Sequence, residues 1–69
     1  MQQRRLDEAV ALYTRIIRSN PRHVEARKER GRVLGWLQRY DEALADFETV
    51  LDVAPRDVEA RVGRGRVLG

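Results

Sequence analysis

Chemistry at a protein site needs groups that move protons, hold metals or concentrate charge, and this chain offers few of them. Its one histidine, His23, follows Pro21 and Arg22 in a sequence with no cysteine, no glycine-rich phosphate loop and no second ligand at zinc spacing. That makes His23 an ordinary turn residue. Asp7-Glu8 and Asp41-Glu42 have the form of paired carboxylates, but each pair opens a helical apolar pattern, where acidic side chains favour the positive end of the helix dipole. Tyr13, Tyr40 and Phe47 recur at helical spacing and read as core rather than as stacking platforms. Trp36, close to a helix end, is a candidate exposed anchor. The remaining chemistry is charge. Lys28 and Arg32 lie four apart on one helix face and could together grip a carboxylate or an acidic segment through charge-assisted hydrogen bonds. The alternative is that they are solvated charges balanced by Glu25 and Glu29. No enzymatic activity, cofactor or metal site is expected.

The elements that must position these residues come in a repeat of 34 positions. Asp7-Glu8-Ala9 returns as Asp41-Glu42-Ala43, Pro21-Arg22 as Pro55-Arg56, and Val24-Glu25-Ala26-Arg27 as Val58-Glu59-Ala60-Arg61. Arg30-Gly31-Arg32-Val33-Leu34-Gly35 returns as Arg64-Gly65-Arg66-Val67-Leu68-Gly69. Within each unit the apolar spacing is helical. Leu6, Ala9, Val10, Tyr13, Ile16 and Ile17 form one stripe, and Tyr40, Ala43, Leu44, Phe47, Val50 and Leu51 repeat it. Pro21 and Pro55 stop these helices. Asp57 then stands as N-cap for a helix opening at Val58, whereas His23, at the matching place, is a poorer cap. A second helix type runs from about Val24 to Leu37, with Gly31, Val33, Leu34 and Leu37 inward and Glu25, Lys28, Glu29 and Arg32 largely outward. Gly31 and Gly65 lie inside helical patterns, where glycine costs about 1 kcal/mol relative to alanine, so a close helix crossing is expected there, with Gly31 against Ala43 and Phe47.

Four helices joined by short turns predict an all-α, right-handed solenoid segment of antiparallel neighbours. Sixty-nine residues allow one small domain with a thin core. No apolar run approaches the roughly 20 residues needed to cross a bilayer. The stretch Met1 to Arg5 is polar, basic and followed by Asp7 and Glu8, so it is no secretory signal, and a cytoplasmic setting is the default expectation. Net charge is +3, and the pI near 10.2 is inflated by arginines that do not titrate below very high pH. Eleven acidic residues interleave with fourteen basic ones, the pattern of a solvated helical surface more than of a phosphate-binding stripe.

The period and the residues it carries resemble the tetratricopeptide repeat (TPR), a family whose pattern pairs a glycine and a large residue on the first helix with alanine, an aromatic and a closing proline on the second. Residues 24–57 resemble one complete repeat. Gly31 falls in the glycine slot, Leu34 replaces the usual tyrosine, Ala43 and Phe47 fill the alanine and aromatic slots, and Pro55 closes the unit. Residues 1–23, with Ala9, Tyr13 and Pro21, resemble the second helix of a preceding repeat, and 58–69, with Gly65, the first helix of a following one. This is a B-A-B-A order of repeat helices. Arg27 stands where the pattern has tryptophan and Arg30 where it has leucine, and Arg61 and Arg64 repeat both departures. Such arginines can lay their stems on a neighbouring helix with the guanidinium wet or paired to Asp46 or Glu42.

The resemblance implies a protein-interaction scaffold whose concave face binds a peptide or partner helix. Here that face would carry Glu25, Lys28, Glu29, Arg32 and Trp36, continued by Glu59, Val62 and Arg66. The family's chaperone-tail clamp is not implied, since Arg32 and Gly63 occupy its asparagine slots. Two other readings stay open. One is a self-assembly module stacking end to end as a homo-oligomer, with Leu6, Val10 and Ile17 meeting Val67 and Leu68 of another copy. The other, less favoured, is a basic helical repeat that binds nucleic acid.

Overall fold

The structure, a computed structural model, describes residues 3–69; Met1 and Gln2, part of the polar basic stretch at the start of the sequence, lie outside the described residues. Four helices account for nearly all of it, with no strand among the described residues: α1 (Gln3–Ser19), α2 (Val24–Trp36), α3 (Tyr40–Val53) and α4 (Val58–Leu68). Each helix packs on its neighbours in sequence and α2 also reaches α4, while α1 touches neither α3 nor α4. The result is a slab 32 × 31 × 16 Å. Its core is the cluster of Leu34, Ala43, Phe47, Val50 and Ala60, with Val10, Val24, Leu51 and Val67 packed against it.

The turns repeat as the sequence does. Asn20 N–H bonds the Ile16 carbonyl and Ala54 N–H the Val50 carbonyl, closing α1 and α3; His23 and Asp57 then donate their amides to the carbonyls of Asn20 and Ala54. Asp57 caps α4 by accepting from the Ala60 amide at 3.0 Å. His23 does the same work for α2, its Nδ1 accepting from the Ala26 amide at 3.1 Å. It is a better cap than its type suggests, because an extended backbone at φ −71° brings the ring nitrogen within reach of the first helical turn. The turn after α2 has no counterpart elsewhere. Gln38 takes a left-handed conformation at φ 62°, and the amides of Gln38 and Arg39 bond the carbonyls of Gly35 and Leu34 at 3.0 and 2.9 Å. This double closure is the arrangement glycine usually serves.

Several expected core positions lie elsewhere. Tyr40 begins α3 at the surface, 49% exposed. On α1 only Ile17 is buried, while Leu6, Ala9, Val10, Tyr13 and Ile16 are half-buried, because α2 is the one helix that covers α1. Ile17 is therefore not part of an end surface; the exposed apolar residues at the two ends are Leu12 and Leu68. Gly31 faces the Phe47 ring, where a β-carbon would come within 2.9 Å. Gly65 makes no such crossing, for nothing lies within 4 Å of a β-carbon there, and Gly63 instead takes the other side of Phe47, where a β-carbon would overlap the ring. One aromatic ring thus fills the space that two glycines on different helices leave open. Pro55 sits exposed in the turn between α3 and α4.

Candidate functional site

Two polar clusters and one groove are built on this frame. The first cluster centres on Asp46, which is fully buried in α3. Arg30 grips it with two bonds, Nε to Oδ2 at 2.7 Å and Nη2 to Oδ1 at 2.6 Å, and Arg27 adds Nη1 to Oδ1 at 3.0 Å. Two further donors are also used: Arg30 Nη1 reaches the Thr14 hydroxyl at 3.1 Å on α1, and Arg27 Nε reaches the Pro21 carbonyl at 3.0 Å. The arginines in the slots for tryptophan and leucine thus pair with Asp46 and tie α1, α2 and α3 together. Glu42 instead takes Arg39, at 2.6 Å. The hydrogen bonds to Asp46 hold the Arg30 guanidinium above its ordinary pKa. A planar fork matched to a carboxylate is what permits the burial, since no buried side-chain polar atom among the described residues is left without a partner.

The second cluster centres on Lys28, the chain's single lysine. Its side chain is buried, not outward, and its ammonium bonds Asp57 at 3.0 Å, Glu59 at 3.1 Å and Glu25 at 3.3 Å. The reason is geometric: α4 begins beside α2, so its N-cap carboxylate and its first-turn Glu59 close over the lysine. The hydrogen bond to Asp57 outweighs the cost of burial and lifts the Lys28 pKa well above its ordinary value. In the other direction, the Ala60 amide and then Lys28 hold the Asp57 carboxyl below the usual carboxylate range.

Between α2 and α4 runs a groove of about 450 Å³. Its floor is apolar, formed by Phe47, Gly31, Gly63, Val62 and Val67, with Trp36, Tyr40 and Val58 along its length. Its rim is charged, with Lys28, Glu29, Arg32, Glu59 and Arg66. Of the residues assigned to the concave face, the groove brings together Lys28, Glu29, Arg32, Trp36, Glu59, Val62 and Arg66. Glu25 lies outside it, exposed, and touches the site only through Lys28. The rim charges are not equivalent. Lys28 is enclosed by three carboxylates, and Arg32 is paired with Glu29 one helical turn away, which raises its pKa. Arg66 has no ion pair among the described residues. Gly63 explains this, standing 34 positions after Glu29, so the carboxylate that answers Arg32 has no equivalent beside Arg66. Tyr40 and Gly63 belong to the groove although sequence reasoning left both out of the concave face. The signal for Gly63 was present, as the position where the second unit breaks the repeat.

A family model for the tetratricopeptide repeat matches residues 1–67. The chain belongs to the tetratricopeptide-repeat family. No curated protein and no solved structure matches the sequence significantly. TPR units in general mediate protein–protein interaction and are typically scaffolds without a catalytic role. Among the described residues no helix is long and apolar enough to cross a membrane, and no group of three or more His, Cys, Asp or Glu is placed to hold a metal ion. Of the fourteen basic residues, Arg27, Lys28, Arg30, Arg32 and Arg39 are in ion pairs with carboxylates.

Proposed function

We propose that this TPR segment binds a peptide or a partner helix in the groove between α2 and α4, with residues 24–57 acting as the one complete repeat that holds the two groove helices apart. The observation that carries the reading is the pairing of an apolar floor with one unanswered cation on the rim. Phe47, Val62 and Val67 supply surface that gains by leaving water, and Arg66 supplies a guanidinium that can take a carboxylate bidentately. A ligand that suits both has an apolar side chain and an acidic residue close together on one face. Lys28 acts indirectly here. Its bonds to Asp57 and Glu59 fix α4 against α2 and so set the groove's width.

The test is selection of ligands from a displayed library of short peptides, followed by titration against variants. Val62→Asp and Arg66→Glu are expected to weaken the selected ligand at least about tenfold each, as loss of an apolar anchor or a charge-assisted bond should, with helical content by circular dichroism unchanged. Selected ligands indifferent to both substitutions would sink the proposal. Reversal of Lys28 is a poor probe, since it would break the fold's own cluster before it reported on a ligand.

A further inference from the structure

Helices α1 and α3 offer a neighbour nearly the same apolar pattern, yet α2 seats only α3 on its core face. The buried residues of α3 are Ala43, Asp46, Phe47 and Val50. Ala9, Tyr13 and Ile16 match Ala43, Phe47 and Val50 in α1, each 34 positions earlier. Apolar packing by itself would therefore let a helix like α1 take the seat of α3 against Leu34. The exception is Asp46, whose counterpart is Leu12. Asp46 is fully buried and takes both Arg27 and Arg30, whose side chains are 18% exposed. From the other side α1 supplies a neutral acceptor, the Thr14 hydroxyl, which receives Arg30 Nη1 at 3.1 Å and donates to the Val10 carbonyl at 2.7 Å. The negative charge of the network comes from α3 alone.

We infer that the Arg27–Arg30–Asp46 network is a pairing key, which assigns α3 to the core face of α2 by charge and bars an α1 helix of a second copy from it. A buried ion network stabilises weakly, because taking its charges out of water offsets their attraction, but removing one member strands a buried charge at a severe cost. It is thus a poor source of stability and a strong discriminator. An α1 helix on that face would set Leu12 against two guanidiniums that have left water without a partner. In a chain whose two units repeat, this guards against exchange of like helices between copies. The groups of the key lie within α1, α2 and α3, so it depends on neither end of the sequence.

The test moves the carboxylate from one helix to the other in the whole chain. Asp46→Leu alone is expected to lose most of its helical circular dichroism, because Arg27 and Arg30 keep no anionic partner in the core. Adding Leu12→Asp should restore the signal, but only in a species heavier than the parent by light scattering. Position 12 is exposed and turned away from its own α2, so the transferred carboxylate reaches the arginines only from a second copy. A further variant with Arg27→Met, Arg30→Met and Asp46→Leu removes the charge of the whole network. Its urea midpoint should be no lower than the parent's, and its mass should rise with concentration as α1 helices of other copies compete for the face. Full helical signal for Asp46→Leu would overturn the inference, as would a Leu12→Asp, Asp46→Leu chain that stays unfolded or refolds at the parent's mass. An uncharged variant that keeps the parent's mass at every concentration overturns it by showing that packing selects α3 unaided. One that fails to fold overturns it by making the network a stabiliser instead.

Discussion

Helices α2 and α4 share the run Arg-Gly-Arg-Val-Leu-Gly, at 30–35 and at 64–69, yet the same residues meet opposite fates. In α2 the leucine-bearing turn is core: Leu34 is 1% exposed and Gly31 is pressed against Phe47. In α4 Leu68 is two-thirds exposed and Gly65 faces open space. Sequence identity fixes what a helix offers to a neighbour, and the neighbour decides what the offer is worth. In repeat folds that neighbour is another unit, so energetics belong to interfaces more than to helices. Where the two helices differ, at Lys28 against Val62 and Glu29 against Gly63, the change makes one groove from two unlike walls, one charged and one apolar.

Paired substitutions turn this comparison into numbers. The largest contrast is expected at the leucines. Leu34→Ala removes a fully buried side chain and should cost about 2 to 5 kcal/mol, on the order of half of the roughly 3 to 10 kcal/mol that a chain this size possesses. Leu68→Ala should stay within about 0.5 kcal/mol. Urea denaturation of both variants measures the difference, and similar costs at the two sites would break the claim that α4 is uncovered. Next come the arginines. Arg30→Ala leaves buried Asp46 with Arg27 alone and forfeits two charged hydrogen bonds, for an expected loss of about 1.5 to 3 kcal/mol. Arg64→Ala should leave the denaturation midpoint unmoved.

Much of this architecture was legible beforehand because a 34-residue period is a property of the residues themselves. Asp57 as a cap, Pro21 and Pro55 as stops and the two helix types all follow from local chemistry. The Arg27–Arg30–Asp46 cluster was half legible. Arginine in an apolar slot demands a partner, and Asp46 was one of two carboxylates within reach. What could not be read was anything that depends on where one helix lies against another. Lys28 reads as an outward charge with only Glu25 and Glu29 to balance it, because the spacing of α2 says nothing of Asp57 and Glu59, which belong to the start of α4. Tyr40 and Gly65 sit on faces that periodicity marks as inward, but inward has meaning only where a neighbour is present. Gln38 closes α2 in a conformation that nothing in its type announces.

Smaller and more telling is the expected change of sign at the glycines. Alanine gains about 1 kcal/mol over glycine inside a helix. At Gly65, with nothing within 4 Å of the new β-carbon, Gly65→Ala should realise most of that gain and raise the melting temperature. At Gly31 the β-carbon would stand 2.9 Å from the far end of a Phe47 ring. That ring cannot retreat, because Gly63 presses on it from the other side. Gly31→Ala should therefore destabilise, by about 1 to 3 kcal/mol in overpacking less the helical gain. Two identical substitutions with opposite signs would sharpen the comparison; two gains would mean that Phe47 is loosely held.

The smallest expected effect concerns the caps, where α2 uses His23 and α4 uses Asp57 for the same bond. The Asp57 carboxyl is held below its ordinary pKa by the Ala60 amide and by Lys28, so its folded form binds a proton less readily than the unfolded chain does. Its contribution is thus present in full above the unfolded carboxylate range, near pH 4, and is lost as pH falls through the lower folded value. Stability measured by denaturation from pH 6 down to pH 2 should decline, and Asp57→Asn should flatten part of that decline while keeping a side-chain oxygen for the cap. The loss in Asp57→Asn at pH 6 should exceed a plain cap replacement of a few tenths of a kcal/mol, because Lys28 loses its first partner as well. His23→Asp runs the comparison the other way: it gives α2 the cap that α4 has and adds a negative charge at a helix start, for an expected gain of about 0.5 to 1 kcal/mol at neutral pH. That gain should vanish on acidification, which would place the advantage in the carboxylate and not in the shape of the turn.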